Sequence, residues 1–65
     1  MKILLGDARA DRELTLEKLA NISGISKSTL QRIEIGAVSP TMDTMEKLAK
    51  AMHMKITDLF ESEYK

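Results

Sequence analysis

The amino-acid sequence predicts an all-α fold of five short helices. Apolar residues recur at three- and four-residue spacing through most of the chain. Glycines at 24 and 36 and the proline at 40 cut that pattern into short pieces, and Thr15, Ser26 and Thr41 stand at piece starts as candidate N-caps. No alternating strand pattern competes. Sixty-five residues fit one domain, 1–65.

The first helix is expected over roughly residues 2–12, with Leu4, Leu5, Ala8 and Arg12 on one side and Asp7 and Asp11 on the other. Arg12-Glu13-Leu14 forms a turn. Thr15 caps the second helix, whose stripe of Leu16, Leu19, Ala20 and Ile22 ends near Ser23. Gly24 allows the positive φ of a sharp helix-to-helix turn, with Ile25 as the plug beneath it. Ser26 caps a third helix from about Lys27 to Ile35, with Leu30 and Ile33 inward and Gly36 as its stop. A connector, Ala37-Val38-Ser39-Pro40, leads to Thr41 and a fourth helix of about residues 42–52. Met42, Met45, Leu48, Ala49 and Met52 form its apolar face. After His53-Met54-Lys55, a fifth helix from about residue 56 places Ile56, Leu59 and Phe60 together, and Tyr64 and Lys65 fray.

So short a chain has a thin stability margin. It has no cysteine and a single histidine, so no disulfide, thiolate site or zinc site is expected, and no cofactor. No apolar run reaches the ~20 residues of a membrane span. The apolar start, Met1 to Leu5, is too short for a signal peptide, so a cytoplasmic location is expected. Asp7, Asp11 and Glu13 have no histidine nearby and no phosphate-cradling glycine loop exists, which argues against an enzyme. The five methionines read as core filler by their helical spacing. His53, at a helix end, is read as structural and not as a pH switch. Met54, Ile56 and Phe60 could be left uncovered as a dimer surface. The ten basic and ten acidic residues cancel, with residues 1–36 at +1 and 37–65 at −1. Any nucleic-acid surface must therefore come from where charges stand.

Residues 15–36, TLEKLANISGISKSTLQRIEIG, carry the functional signal. Two helices of eight or nine residues joined by a tight glycine turn match a helix-turn-helix, in which the second helix enters the major groove of DNA. Its free face holds Ser26, Lys27, Ser28, Thr29, Gln31 and Arg32, hydrogen-bonding side chains without an acid among them. Gln, Arg and Lys suit base edges, and hydroxyls near a helix N-terminus suit phosphate. An ordinary solvated face is the alternative.

These residues resemble the Cro and lambda-repressor type of helix-turn-helix, the XRE family. The pattern matches at Leu14, Thr15, Leu19, Ala20, Gly24, Ile25, Ser26, Thr29, Leu30, Ile33, Glu34 and Gly36. It continues through Pro40, Thr41, Thr44, Lys47, Leu48, Ala49 and Ala51, so that the likeness covers about residues 5–60. The resemblance implies a lambda-repressor-like fold around a central helix-turn-helix. It implies a regulator of transcription, a repressor binding a palindromic site in double-stranded DNA as a homodimer. It puts base reading on Lys27, Ser28, Gln31 and Arg32, and phosphate contacts on Thr15, Ser26 and Thr29. It also implies an ion pair between Arg9 and Glu34, strong if buried and weak if exposed.

Departures from the pattern matter. Leu16 stands where a phosphate-binding glutamine is common, and is either exposed or part of the core. Glu13 and His53 replace glycines, at a cost of order 1 kcal/mol each if φ is positive. Lys55 replaces a capping serine, and the connector lacks basic residues. These features imply weak DNA affinity per subunit. A second reading is an antitoxin-like module that binds a protein partner, with DNA binding secondary; the acidic tail Glu61-Ser62-Glu63 suits it.

Overall fold

The computed structural model describes all residues, Met1 to Lys65. In chain order it contains strand β1 (Lys2–Ile3) and helices α1 (Leu5–Asp11), α2 (Leu16–Ser23), α3 (Lys27–Glu34) and α4 (Met42–Ala51). A single 3-10 turn (Ile56–Asp58) and strand β2 (Phe60–Glu61) follow.

Capping chemistry sets the middle of the chain. Thr15, Ser26 and Thr41 sit in extended backbone, and each hydroxyl accepts from the N–H three residues on, at 3.0, 3.2 and 3.1 Å. Gly24, at φ +76, ends α2 in the left-handed region, where its N–H still reaches Ala20 O. α1, α3 and α4 close with one shared arrangement. A left-handed residue (Glu13, Gly36 or His53) and the residue after it return their N–H groups to the last turn. Two of those three positions are not glycine: Glu13 lies at φ 55 and His53 at φ 54.

The expected helices two to four lie where the sequence puts them, give or take a residue. The ends of the chain differ from the five-helix, all-α expectation. The first helix begins at Leu5 and not at residue 2, because Lys2–Ile3 pair antiparallel with Phe60–Glu61. The fifth helix is reduced to one 3-10 turn. Lys55 offers it no side-chain cap, and the chain must straighten by Phe60 to meet Ile3. The fold is thus four α-helices and a 3-10 turn closed by a two-stranded sheet.

The core is a cluster of Leu5, Ala8, Leu19, Leu30, Ile33, Met45, Leu48, Met52 and Leu59, with no polar side chain buried in it. Ile22 and Met42, expected on apolar faces, are exposed. Ile22 falls about 100° from the buried centre of α2, and Met42 sits on the first turn of α4, beyond the reach of its neighbours. Ile35 caps α3 from outside the helix and points to solvent. Met54, Ile56 and Phe60, read as candidates for a dimer surface, are instead half-buried against the chain's own core. Leu16 also packs there. Arg12 reaches across the fold, its Nε donating to Met52 O at 2.8 Å and satisfying a carbonyl at the end of α4. No helix is long and apolar enough to cross a membrane.

Candidate nucleic-acid interface

α2 and α3 pack at the tight turn through Ser23, Gly24 and Ile25. The Ile25 N–H donates to Ser23 Oγ at 3.2 Å, and Ile25 is half-buried against the core. The inner side of α3 is fully anchored, with Leu30 and Ile33 buried. At about 100° per residue, Lys27, Gln31, Ser28 and Arg32 follow one another around an arc of roughly 140° on the opposite side. All four are exposed. Ser28, Gln31 and Arg32 make no side-chain hydrogen bond within the chain, so their donors and acceptors are unspent. The helix is about 12 Å long, close to the ~12 Å width of the major groove.

Lys27 is placed differently. Its Nζ lies 3.4 Å from Glu17 Oε1 of α2, in a pair exposed on both sides. Arg9, Thr15, Leu16, Glu17 and Lys27 together line a shallow groove between the starts of α2 and α3. The structure therefore brings Thr15 and Lys27 to one place and adds an acid that sequence reasoning did not single out. Glu17 and Lys27 are ten residues apart, and only the angle between the two helices makes them neighbours.

The hydroxyls at the N-terminus of α3 are bonded to each other, with Ser26 Oγ donating to Thr29 Oγ1 at 2.8 Å while it accepts the Thr29 N–H. Ser26 has thus spent its proton, and the free hydroxyl proton here belongs to Thr29. Thr15 Oγ1 accepts from Lys18 N and keeps its own proton.

Arg9 of α1 clamps α3 from behind. Its Nε donates to Glu34 Oε2 at 2.7 Å and its Nη2 to Glu34 Oε1 at 3.1 Å, a two-bond fork, while Nη1 donates to Leu14 O at 2.8 Å. The side chains are 24% and 16% exposed. The hydrogen bond to Glu34 raises the Arg9 pKa above its ordinary value; burial opposes this and the Coulomb attraction adds to it. No cluster of three potential metal-ligating side chains exists anywhere in the chain.

A capped helix, a tight glycine turn and a second helix anchored inside and unspent outside define a helix-turn-helix domain. A family model described as helix-turn-helix matches residues 5–59. The chain belongs to that family, in its XRE branch. It is 42% identical over 53 residues to the cryptic phage CTXphi transcriptional repressor RstR of Vibrio cholerae, covering 82% of this chain and 48% of RstR. It is 40% identical over 60 residues to an HTH-type transcriptional regulator of Methanocaldococcus jannaschii, covering 92% of this chain and 91% of that protein. With the HTH-type transcriptional regulator PuuR of Escherichia coli it shares 30% identity over 56 residues, 86% of this chain and 30% of PuuR. The chain thus spans about half of RstR and under a third of PuuR, but most of the archaeal protein.

Proposed function

We propose that this protein is a sequence-specific regulator of transcription, a repressor that binds a palindromic operator in double-stranded DNA as a homodimer. The observation that carries this reading is the arc of Lys27, Ser28, Gln31 and Arg32, exposed and almost wholly unspent on a helix whose other side is locked in place. The naming of its relatives as transcriptional regulators supports it.

In this reading α3 lies in the major groove. Gln31 and Arg32 present paired donors or a donor and acceptor to base edges, Lys27 reaches a guanine or a phosphate, and Ser28 adds a short-range contact. Thr15 and Thr29 donate hydroxyl protons to phosphates on either side, and Ser26 acts through Thr29. These phosphate contacts set the register of α3. Two copies place two such helices about 34–36 Å apart, one turn of duplex, and occupied DNA is closed to polymerase.

Selection from a randomised duplex pool at several salt concentrations tests this. A palindromic site should be enriched, with affinity falling as salt rises. Absent or salt-insensitive binding would reject the reading and turn attention to a protein partner, the role that the neutral net charge and the acidic tail also suit.

A further inference from the structure

The largest cleft of the molecule, about 680 Å³, opens between the C-terminal ends of α2 and α4. Ile22 and Ala51 are its apolar part, and Ile22 is 49% exposed there. Lys47, Lys50, His53 and Ser23 line the rest, and no acid does. Both lysines are exposed, and neither has an ion-pair partner within the chain. Asp43 and Glu46, the acids of α4, stand outside the cleft. The Ser23 hydroxyl accepts the Ile25 N–H and keeps its own proton, a further unspent donor. His53 lines the cleft from the left-handed region, at φ 54, a conformation that favours glycine. Lysine near a helix C-terminus answers the helix dipole, which accounts for Lys50. It does not account for Lys47, one turn earlier, or for an isoleucine left open beside them.

We propose that this cleft docks an acidic segment of a partner protein, in which carboxylates flank an apolar side chain. The apolar side chain covers Ile22 and Ala51, and the carboxylates accept from Lys47, Lys50 and Ser23. Charge selects the occupant. Unpaired cations with no acid among them call for an anion, and the exposed isoleucine calls for one that carries an apolar group, which a nucleic-acid backbone lacks. Placement agrees. On α2, Glu17 and Ile22 fall on opposite flanks of the buried stripe, about 120° and 100° from its centre. Glu17 meets Lys27 on the side of the recognition helix, whereas Ile22 lines the cleft with α4. The cleft shares no residue with the groove between the starts of α2 and α3, so its occupant leaves the exposed arc of α3 open. The proposal goes beyond the reading as a DNA-binding regulator and does not depend on it. Exposed charge pairs are individually weak, so the contact is weak and falls with salt.

Panning a display library of random short peptides against the whole chain, followed by fluorescence anisotropy of the enriched peptides, tests the proposal. The wild type should enrich peptides with acidic residues around an apolar one, and their binding should weaken as salt rises. Lys47→Gln/Lys50→Gln should weaken it by roughly three- to tenfold, and Ile22→Ser by about threefold, with unchanged circular dichroism. Lys2→Gln, which removes an exposed cation outside the cleft, should not. Enrichment of no acidic peptide, or equal binding by wild type and the cleft variants, would overturn the docking site. Titration of a random duplex against salt separates a phosphate occupant. The double lysine variant should keep the wild-type slope, and a slope lower by about two, one for each lost phosphate contact, would give the cleft to DNA and overturn the proposal. Sedimentation equilibrium in which the wild type pairs and the double lysine variant does not would give it to the acidic tail of a second copy, with the same consequence. Peptide binding as expected with no duplex bound would leave the cleft standing and reject the DNA reading.

Discussion

Removing Arg9 should cost this domain a large part of its stability, and the size of the loss can be worked from the geometry. The guanidinium makes two bonds to Glu34 and one to Leu14 O. Arg9→Ala leaves a carboxylate that is only 16% exposed without its cation, and a loop carbonyl without its donor. An exposed ion pair contributes ~0.2–1 kcal/mol, and breaking a fully buried one costs ~3–5 kcal/mol. Side chains about a quarter and a sixth exposed fall between these limits, and the solvent that reaches them screens the attraction, so a loss of about 2 kcal/mol is expected. In a domain of this size that lowers Tm by roughly 8–16 °C. Some of the loss is packing of the arginine stem. The pair itself is isolated by a cycle of Arg9→Met, Glu34→Gln and both together, followed by urea unfolding. The coupling should be ~1–2 kcal/mol and should mostly survive 1 M salt, because the contact is partly shielded. A coupling below ~0.3 kcal/mol, within the error of additivity, would refute the clamp. So would one abolished by salt. On the arginine side the pair is insensitive to pH near neutrality. A raised pKa means stability fully present below the ordinary arginine value and lost only in strong alkali.

Gln31→Ala and Lys27→Ala should each reduce discrimination between operator and mismatched sites by ~1–3 kcal/mol in competition binding, with Tm almost unchanged because both side chains are exposed. Glu17→Gln should strengthen DNA binding by releasing Lys27 and removing a charge that repels phosphate. It should alter stability by less than ~0.5 kcal/mol, since the pair is exposed on both sides. Glu13→Gly and His53→Gly should each stabilise the fold by about 0.5 kcal/mol in chemical denaturation. Relief of a left-handed non-glycine residue, ~1–2 kcal/mol, is partly offset by the greater freedom of glycine in the unfolded chain. Destabilisation by either change would mean that the side chain contributes more than its backbone costs.

The centre of the molecule was legible because its determinants are local. A capping hydroxyl, a glycine turn and a 3.6-residue apolar stripe are each written within a few residues, and α2, α3 and α4 follow from them. The ends were not. β1 and β2 have two residues each, too few for alternation to show, and they pair Ile3 with Phe60 across the whole chain. The same pairing explains why the amphipathic signal at Ile56, Leu59 and Phe60 produced one 3-10 turn instead of a helix: Leu59 is buried and Phe60 belongs to the strand. At the site, periodicity gathered Ser26, Lys27, Ser28, Thr29, Gln31 and Arg32 on one face, and the family resemblance narrowed the base-reading expectation to Lys27, Ser28, Gln31 and Arg32. The Arg9–Glu34 pair was reachable only through family resemblance. The contacts of Lys27 with Glu17 and of Arg12 with Met52 depend on helix angles, which no short stretch of sequence records.

Zero net charge would be an odd property for a protein that held DNA by electrostatics alone. On this fold the acids are mostly elsewhere. Asp43 and Glu46 lie on α4, and Glu61 and Glu63 close the chain, while the exposed arc of α3 carries Lys27 and Arg32 and no acid. Glu34 shares the helix but faces inward to Arg9, so its charge is matched before DNA arrives. Only Glu17 intrudes, and it weakens the one lysine best placed to reach a base or phosphate. Arg32, unopposed, and Lys27, shared with Glu17, neutralise few phosphates, so the counterion-release contribution per copy is small. In the proposed reading, affinity then comes from base-edge contacts and from two copies acting on one duplex, whose joint binding exceeds either alone. A neutral chain of this design would hold poorly to random DNA and depend on pairing for tight binding.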